Sequence, residues 1–207
     1  MVQLSTVQSA TSFKGNITPT GIHYIEVTDP DSLEAQQALL MCRIIFGLGN
    51  EEVADLYQQL RDSQCLRPNK MHLVVAKHEG KAVGCVLFYH LAEVNMGFMD
   101  YIVVAPSYQR KGIGRSLYNA AIEILERDSQ GIKGMLFEVH KVSQGLDKRK
   151  NFFLNIGAIP IDLSFYPLGK EVTHSGILVM FHPWGCFRMT WPNLVKVFDN
   201  LSAVLNH

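Results

Sequence analysis

A change of hydrophobic period between residues 97 and 127 most constrains how this chain can fold. Residues 97–104 are rich in β-forming side chains, which is typical of a strand. After Pro106 the apolar side chains recur at helical spacing: Ile113, Leu117, Ala120, Ala121, Ile124 and Leu125. That spacing predicts an amphipathic helix that reaches Arg127. The sequence therefore predicts a strand that leads through a short loop into a long helix.

The rest of the chain carries further elements of both kinds. β-rich runs occupy residues 22–27, 71–76, 82–91, 134–140, 159–165 and 176–181, and each predicts a strand. Helices are predicted from Asp31 to the glycines at 47 and 49, and over residues 51–61 and 148–155. The tetrapeptide at 78–81, His-Glu-Gly-Lys, has the size and the glycine of a hairpin turn. This mixed order predicts an α+β fold with helices on the faces of a sheet, and disfavours a doubly wound parallel fold or an all-β sandwich.

The two ends of the chain differ from its middle. Residues 1–20 are rich in Ser, Thr, Gln and Gly without periodicity, so we predict a flexible arm there. The main domain is predicted over residues 21–185. Residues 186–207 are predicted to be a helical extension, whose apolar stripe comprises Leu194, Val197, Phe198, Leu201 and Val204. We expect this stripe to pack on its own domain, with dimerisation or a lid over the site as alternatives.

Composition limits the classes of partner. Nineteen basic and nineteen acidic side chains give a formal net charge of zero, so no overall field attracts nucleic acid or an anionic membrane. No apolar run approaches the roughly 20 residues of a membrane span, and the N-terminus lacks the layout of a signal peptide. We therefore expect a cytoplasmic protein.

The cysteines and histidines give no sign of a metal site. The four cysteines form no C-x-x-C pair, and the eight histidines show no H-x-x-x-H spacing and no cluster with cysteine. The sequence therefore predicts reduced, mostly packed thiols and no bound metal.

The loop before the long helix has the chemistry of a phosphate site. Gly112 and Gly114 let backbone N–H groups approach a ligand closely, and the helix dipole adds partial positive charge. Three cations raise the local potential further: Arg110, Lys111 and Arg115. A dinucleotide motif G-x-G-x-x-G would need glycine where Leu117 stands, and no Walker lysine-serine pair follows. Nucleotide-binding folds are therefore disfavoured, and solvated cations at a helix start are the alternative to a phosphate site.

The run Gln109-x-x-Gly112-x-Gly114, preceded by Val104-x-Pro106, resembles the acyl-CoA-binding motif of the GNAT acetyltransferase superfamily, Q/R-x-x-G-x-G/A. Every defining position matches, and the predicted element order over residues 21–181 agrees with the fold of that family. The resemblance implies a central, mostly antiparallel sheet flanked by helices. It also implies an acetyl-CoA-dependent N-acetyltransferase, with acetyl-CoA or coenzyme A as co-substrate.

The resemblance further implies which residues hold the cofactor. Backbone amides of the loop and the helix start would bind the pyrophosphate: Gln109, Arg110, Lys111, Gly112, Ile113, Gly114, Arg115 and Ser116. The pantetheine arm would pair like an added strand with the preceding strand, at Ile102, Val103 and Val104. A second basic cluster, Lys148, Arg149 and Lys150, could neutralise the outer phosphate or form a solvated helix face.

Acyl transfer to an amine needs a base, a donor to the oxyanion and a leaving thiolate. Asp100 is the first candidate base, because apolar walls raise the pKa of a carboxyl group, and because relatives often carry Glu before Tyr here. Glu138 and His140 are second candidates, since alternation puts both on one face of their strand. A structural role remains the alternative for all three. The backbone N–H of Val103 or of a neighbour could donate to the oxyanion.

One position departs from the pattern of the family. Residues 151–158 resemble its late helix, but Phe153 stands where the usual acid, a tyrosine, would lie. A phenyl ring cannot donate a proton. Since a free thiol has a pKa of about 8.5, the thiolate is a fair leaving group without an acid. Tyr101 or Tyr166 could otherwise supply the proton.

We therefore expect an enzyme that moves an acetyl group from acetyl-CoA to a primary amine by direct attack in a ternary complex. No cysteine lies where an acyl-enzyme would form. A small-molecule acceptor is expected, because the sequence carries no acidic groove for a basic peptide. A non-catalytic acyl-CoA-binding or sensing module and a protein N-acetyltransferase are the alternatives, and a homodimer remains open.

Overall fold

The order of helices and strands follows the predicted mixture. A computed structural model describes residues 21–62, 68–140, 146–161 and 177–205. The elements in chain order are β1 (His23–Val27), α1 (Leu33–Phe46), α2 (Asn50–Asp62), β2 (Lys70–His78), β3 (Lys81–Leu91), β4 (Met96–Val104), a 3₁₀ turn (Pro106–Tyr108), α3 (Ile113–Asp128), β5 (Gly134–His140), α4 (Leu146–Asn155), β6 (Ile159–Pro160), β7 (Ile177–Pro183) and α5 (Trp191–Leu205).

The strands of the described chain form one sheet in the order β1-β2-β3-β4-β5-β7-β6. Neighbouring strands are antiparallel except for β4 and β5, which run parallel. The predicted α+β fold with a mostly antiparallel sheet is therefore confirmed. Of the strand predicted at 159–165, Ile159–Pro160 is found, and residues 162–165 lie outside the described part.

Local signals set the ends of several elements. The hairpin between β2 and β3 turns through Glu79 (φ 49°) and Gly80 (φ 78°), and two positive φ values suit the right-handed twist of a hairpin. Helix α1 starts at Ser32, whose side chain accepts a hydrogen bond from the N–H of Ala35 at 3.2 Å. It stops at Gly47 (φ 72°). The predicted hairpin and the predicted glycine stop are both confirmed.

The sheet separates two apolar layers. One face packs against α1, α2 and α5, and the other against α3 and α4. All six apolar residues of the predicted α3 stripe are buried. In α5, Leu194, Val197 and Leu201 are buried in the first layer, so the C-terminal helix packs on its own domain as expected. The side chain of Val204 lies outside the described part.

A buried ionic network joins β1, β2 and α3. Oε1 of Glu26 lies 3.1 Å from Nδ1 of His72, and Arg127 donates to both carboxylate oxygens of Glu26 at 2.8 and 3.2 Å. Burial opposes ionisation of Glu26, but the hydrogen bonds from His72 and Arg127 prevail and lower its pKa to about 2. The network therefore holds the start of the sheet to the end of α3.

Two of the cysteines meet between α1 and β3. Cys42 and Cys85 are buried and reduced, with their sulfur atoms 3.8 Å apart, as the sequence predicts. Cys186 is exposed, and Cys65 lies outside the described part. Among the described residues no group of His, Cys, Asp or Glu is arranged to hold a metal ion. In the same ranges no helix has the length and apolarity to cross a membrane.

Candidate acyl-CoA and acceptor site

Strand β4 carries one extra residue near its middle. Its pairing with β3 passes from Phe88↔Met99 directly to Leu87↔Tyr101. Asp100 therefore has no partner on β3 and forms a β-bulge, which bends a strand and re-aims its side chains. The sequence gives no signal of the bulge, because β4 is apolar on both sides of it.

The bulge reverses the alternation of side chains along β4. Phe98 lies in the core on the α1 face, and Met99 lies in the core on the α3 face. Past the bulge, Tyr101 and Val103 return to the α1 face. Asp100 is therefore the extra residue between Met99 on the α3 face and Tyr101 on the α1 face. The charge of Asp100 acts on the hydroxyl of Tyr89, and Tyr89 is buried in the core on the α1 face.

Strands β4 and β5 separate at the bulge. Their parallel pairs are Gly97↔Met135, Phe98↔Leu136 and Met99↔Phe137, and none follows within the described chain. Both strands continue, β4 to Val104 and β5 to His140. The edge of β4 that faces β5 is thus open over its second half, and an extended chain can bind such an edge through main-chain hydrogen bonds.

Asp100 and Glu138 are the first residues past the last parallel pair. The side chain of Asp100 is half-buried and makes no hydrogen bond or ion pair with the described residues. Burial, and then the negative charge of Glu138, raise the pKa of Asp100 to about 7. Glu138 lies two residues after Leu136, whose side chain is on the α1 face, so alternation puts Glu138 on that face too.

Two aromatic rings lie near Asp100, one of them in the next residue along β4. The ring of Tyr101 meets that of Phe46 from α1 edge-on, with centroids 5.0 Å apart. Burial and the charge of Asp100 raise the pKa of Tyr101 above its usual value, so its hydroxyl stays protonated at neutral pH. Nothing in the spacing of Phe46 distinguishes it from the packed residues of α1, so the sequence does not single it out as a site residue. Tyr166 lies outside the described residues, as does the side chain of His140.

The start of α3 presents backbone N–H groups that have no acceptor within the helix. Its N-cap is Gly112 (φ 82°), which offers no side chain to cap the helix, and its first turn holds no acidic residue. The N–H groups of the first turn have no partner within an α-helix, and they carry the positive end of its dipole. Two amides of the predicted phosphate set are used within the protein: that of Gln109 donates to the Pro106 carbonyl oxygen, and that of Ser116 to the Gly112 carbonyl oxygen.

The side chains around this loop fix its shape. Nε2 of Gln109 donates to the carbonyl oxygen of Val104 at 3.0 Å, which ties the loop to the end of β4. Nη2 of Arg115 donates to the carbonyl oxygen of Asn155 at 3.0 Å, and Nζ of Lys111 lies 5.0 Å from the ring centre of Tyr108. The loop is therefore held in place while its cations remain at the surface.

Phe153 faces the core and not the open edge. Its ring is 7% exposed and stacks on Phe137 with centroids 4.2 Å apart. No proton donor thus stands at this position. Lys148 and Arg149 are exposed on α4, and their part in phosphate binding stays a prediction, as do the roles of the candidate catalytic and cofactor-binding residues.

Comparison with known proteins agrees with this geometry. The sequence model of the Acetyltransferase (GNAT) family matches residues 37–149, whereas no curated protein matches the chain. Among solved structures, the chain is similar to a GNAT-family acetyltransferase from Desulfovibrio desulfuricans, with 17% identity, 79% of this chain and 98% of that chain covered, and a TM-score of 0.57.

Two further structures have the same fold. A GNAT-family acetyltransferase from Staphylococcus aureus Mu50 has 18% identity and a TM-score of 0.58, with 78% of this chain and 98% of that chain covered. The PaiA N-acetyltransferase from Thermoplasma acidophilum, solved in complex with coenzyme A, has 16% identity and a TM-score of 0.54, with 78% and 99% covered. The family match spans more than half of the sequence and includes the glycine loop, and the chain therefore belongs to the GNAT family of acetyltransferases.

Proposed function

We propose that this protein transfers the acetyl group of acetyl-CoA to a primary amine of a small molecule, by direct attack in a ternary complex. The observation that carries the proposal is the opening between β4 and β5, which starts at Asp100. It ends beside the loop that leads into α3. A carboxyl group with a raised pKa and a set of amides without an acceptor in their own helix thus stand at the two ends of one open strand edge.

Coenzyme A fits this arrangement in one direction. Its pyrophosphate would lie on the first turn of α3, where the amides of Ile113, Gly114 and Arg115 have no helical partner. Its pantetheine arm would pair with β4 along Ile102, Val103 and Val104. From Val104 back to Asp100 is four residues, or about 13 Å of strand, so the thioester would reach the bulge.

Each step of the reaction then has a group in reach. The amine nitrogen attacks the thioester carbon, and Asp100 accepts the proton that the nitrogen loses. A backbone N–H of β4 near Val103 donates to the oxyanion. The C–S bond breaks and the thiolate of coenzyme A leaves, taking a proton from the neutral hydroxyl of Tyr101 or from water.

Two matched glycines test where the cofactor binds. Gly112 (φ 82°) and Gly131 (φ 68°) both have positive φ, and neither would bring an added Cβ within 4 Å of another group. Valine at either position imposes a similar backbone strain of roughly 1–2 kcal/mol. Only Gly112→Val places a branched side chain where the pyrophosphate would approach the amides.

We expect Gly112→Val to weaken coenzyme A binding at least tenfold in calorimetry, and Gly131→Val to leave it within twofold. The double variant of Gly112 and Gly114 should weaken binding further. Unchanged affinity in a folded Gly112→Val protein would refute the placement of the pyrophosphate. Consumption of acetyl-CoA over a panel of amines tests the reaction itself.

The buried ring of Phe153 favours a second candidate, a non-catalytic acyl-CoA-binding module. Such a protein would bind acetyl-CoA and consume none of it with any amine. Turnover with one amine of the panel would exclude this candidate.

A further inference from the structure

The loop that leads into α3 contains a backbone conformation that an arginine does not favour. Arg110 has a positive φ of 61°, and Gly112 follows it with a φ of 82°. Positive φ is easily adopted by glycine, whereas in an arginine it costs free energy and persists only where the surrounding structure holds it. The contacts on either side of Arg110 therefore keep this loop in shape.

Tyr108 fixes the loop on the side that precedes Arg110. Its N–H donates to the carbonyl oxygen of Ala105 at 2.8 Å, and its half-buried ring packs on the apolar layer of the α3 face. Its hydroxyl lies 3.0 Å from Nδ1 of His78, and the two rings meet edge-on with centroids 5.6 Å apart. Nζ of Lys111 lies 5.0 Å from the centre of the same ring. Tyr108 thus joins a strand of the sheet to a cation of the loop.

His78 is the last residue of β2, and the sheet holds it in place. Val74 and Ala76 of the same strand lie in the core of the α3 face, so alternation puts His78 on that face too. His78 also pairs with Lys81 across the hairpin. The hydroxyl of Tyr108 donates to Nδ1 when the imidazole is neutral. A paired strand therefore gives this hydroxyl a fixed partner 30 positions away in the sequence.

We propose that His78 and Tyr108 are positioning residues for coenzyme A, whose hydrogen bond holds the loop before α3 in the conformation that receives the pyrophosphate. This inference rests on the proposed function and deepens it. While the hydrogen bond is present, the unfavourable conformation of Arg110 is already formed in the free protein. Without it the loop relaxes, and the cofactor has to restore the binding conformation at the expense of affinity.

Tyr108→Phe tests the hydrogen bond alone, because it removes the hydroxyl and keeps the ring beside Lys111. The matched control is Tyr118→Phe. The hydroxyl of Tyr118 also lies against Nδ1 of a histidine, His182, at 2.5 Å, but Tyr118 is six residues after Gly112, or about 9 Å along α3. We expect Tyr108→Phe to weaken coenzyme A binding about fivefold in calorimetry, and Tyr118→Phe to change it less than twofold.

A double-mutant cycle separates this hydrogen bond from a direct contact between the hydroxyl and the cofactor. His78→Leu alone should weaken coenzyme A binding by the same factor of about five, and the double variant should bind no more weakly than either single variant. In each variant KM for acetyl-CoA should rise about fivefold while kcat stays within twofold, because the pyrophosphate contacts are the same in the ground state and in the transition state. A general loss of fold would lower kcat as well.

Hydrogen exchange in the free protein reports on the loop without any cofactor. The N–H groups of Tyr108 and Gln109 donate to the carbonyl oxygens of Ala105 and Pro106, so loosening of the loop exposes them to exchange. Exchange of the peptide over residues 105–112 should be at least fivefold faster in Tyr108→Phe than in the wild type. It should be unchanged in Tyr118→Phe.

The outcomes separate this inference from the placement of the pyrophosphate. Faster exchange with weaker coenzyme A binding in both Tyr108→Phe and His78→Leu supports the inference. Unchanged affinity in Tyr108→Phe, a loss that His78→Leu does not share, additive losses in the double variant, or unchanged exchange each refutes it. If Gly112→Val still weakens binding in that case, the placement of the pyrophosphate stands. Unchanged affinity in Gly112→Val as well refutes both.

Discussion

Replacement of Asp100 by asparagine should make the protein slower and more stable at once. The carboxyl group has a pKa of about 7 in the folded protein and an ordinary value of 3.8, so the unfolded chain ionises more readily. The raised pKa therefore destabilises the fold by roughly 2 kcal/mol at pH 5, where folding requires the carboxyl group to take up a proton, and by about 4 kcal/mol at pH 8, where the group is charged in the folded protein. The penalty is small below pH 3.8 and grows until the pH passes about 7.

Asp100→Asn removes this penalty and keeps the shape of the side chain. The amide is itself partly buried without a partner, which costs about 1–2 kcal/mol. A net gain of about 2 kcal/mol at pH 8 is expected, or roughly 6 °C in Tm for a chain of this size. At pH 5 the penalty and the cost of the amide nearly cancel, and little change is expected.

The rate should change in the opposite direction. A neutral amide cannot accept the amine proton, so kcat should fall by on the order of 10²-fold, and the rise of the wild-type rate with pH near 7 should disappear. Affinity for coenzyme A should stay within twofold, because the variant leaves the loop before α3 unchanged.

Thermal melts at pH 5 to 8 test the expected gain in stability, and initial rates over the same pH range test the expected loss of activity. Asp55→Asn, which neutralises an exposed carboxylate on α2, is the matched control and should show no gain in Tm at pH 8. An Asp100→Asn protein with the wild-type pH profile and no gain in stability at pH 8 would show that Asp100 is neither strained nor the base. If rate is lost in Glu138→Gln and not in Asp100→Asn, the base lies on β5.

Two further predictions concern the scaffold. Gly134→Ala should lower the free energy of unfolding in urea by about 3 kcal/mol, because φ is 148° and the new Cβ would lie 2.3 Å from the His182 carbonyl oxygen; a loss below 1 kcal/mol would contradict the geometry. The lowered pKa of Glu26, about 2 against 4.5, contributes stability that is complete above pH 4.5 and is lost as the pH falls through 2. Glu26→Gln should therefore cost about 2 kcal/mol at pH 7, since Arg127 is partly solvated, and much less at pH 2.5; equal losses at both pH values would refute the assignment.

Periodicity was enough to predict most of the fold. The α3 stripe, the hairpin at Glu79-Gly80 and the stop at Gly47 each depend on a few neighbouring residues, so their signals are local. The pairing of β4 with β5 depends on contacts distant in sequence, and periodicity does not encode it. The sheet order and the point where these strands part therefore required the structure.

The candidate site also has one part that local sequence predicts and one part that depends on contacts between distant residues. The glycine loop follows from its residues, because backbone approach and a helix start are local properties. The acidic pair does not, since Asp100 and Glu138 are 38 positions apart and a bulge in an apolar run leaves no mark in the sequence. The ring of Phe46 likewise reaches Tyr101 only through the packing of α1.

The bulge in β4 also means that the sheet has no need of Asp100. If that residue were removed, Met99 and Tyr101 would become neighbours, and their partners Phe88 and Leu87 on β3 are neighbours already. Side chains from Phe98 to Val103 would then alternate without interruption between the α1 and α3 faces, and no core residue would change sides. The extra residue shifts the alternation of side chains along the strand without adding to its packing, so the core does not place on Asp100 the constraints that it places on its neighbours.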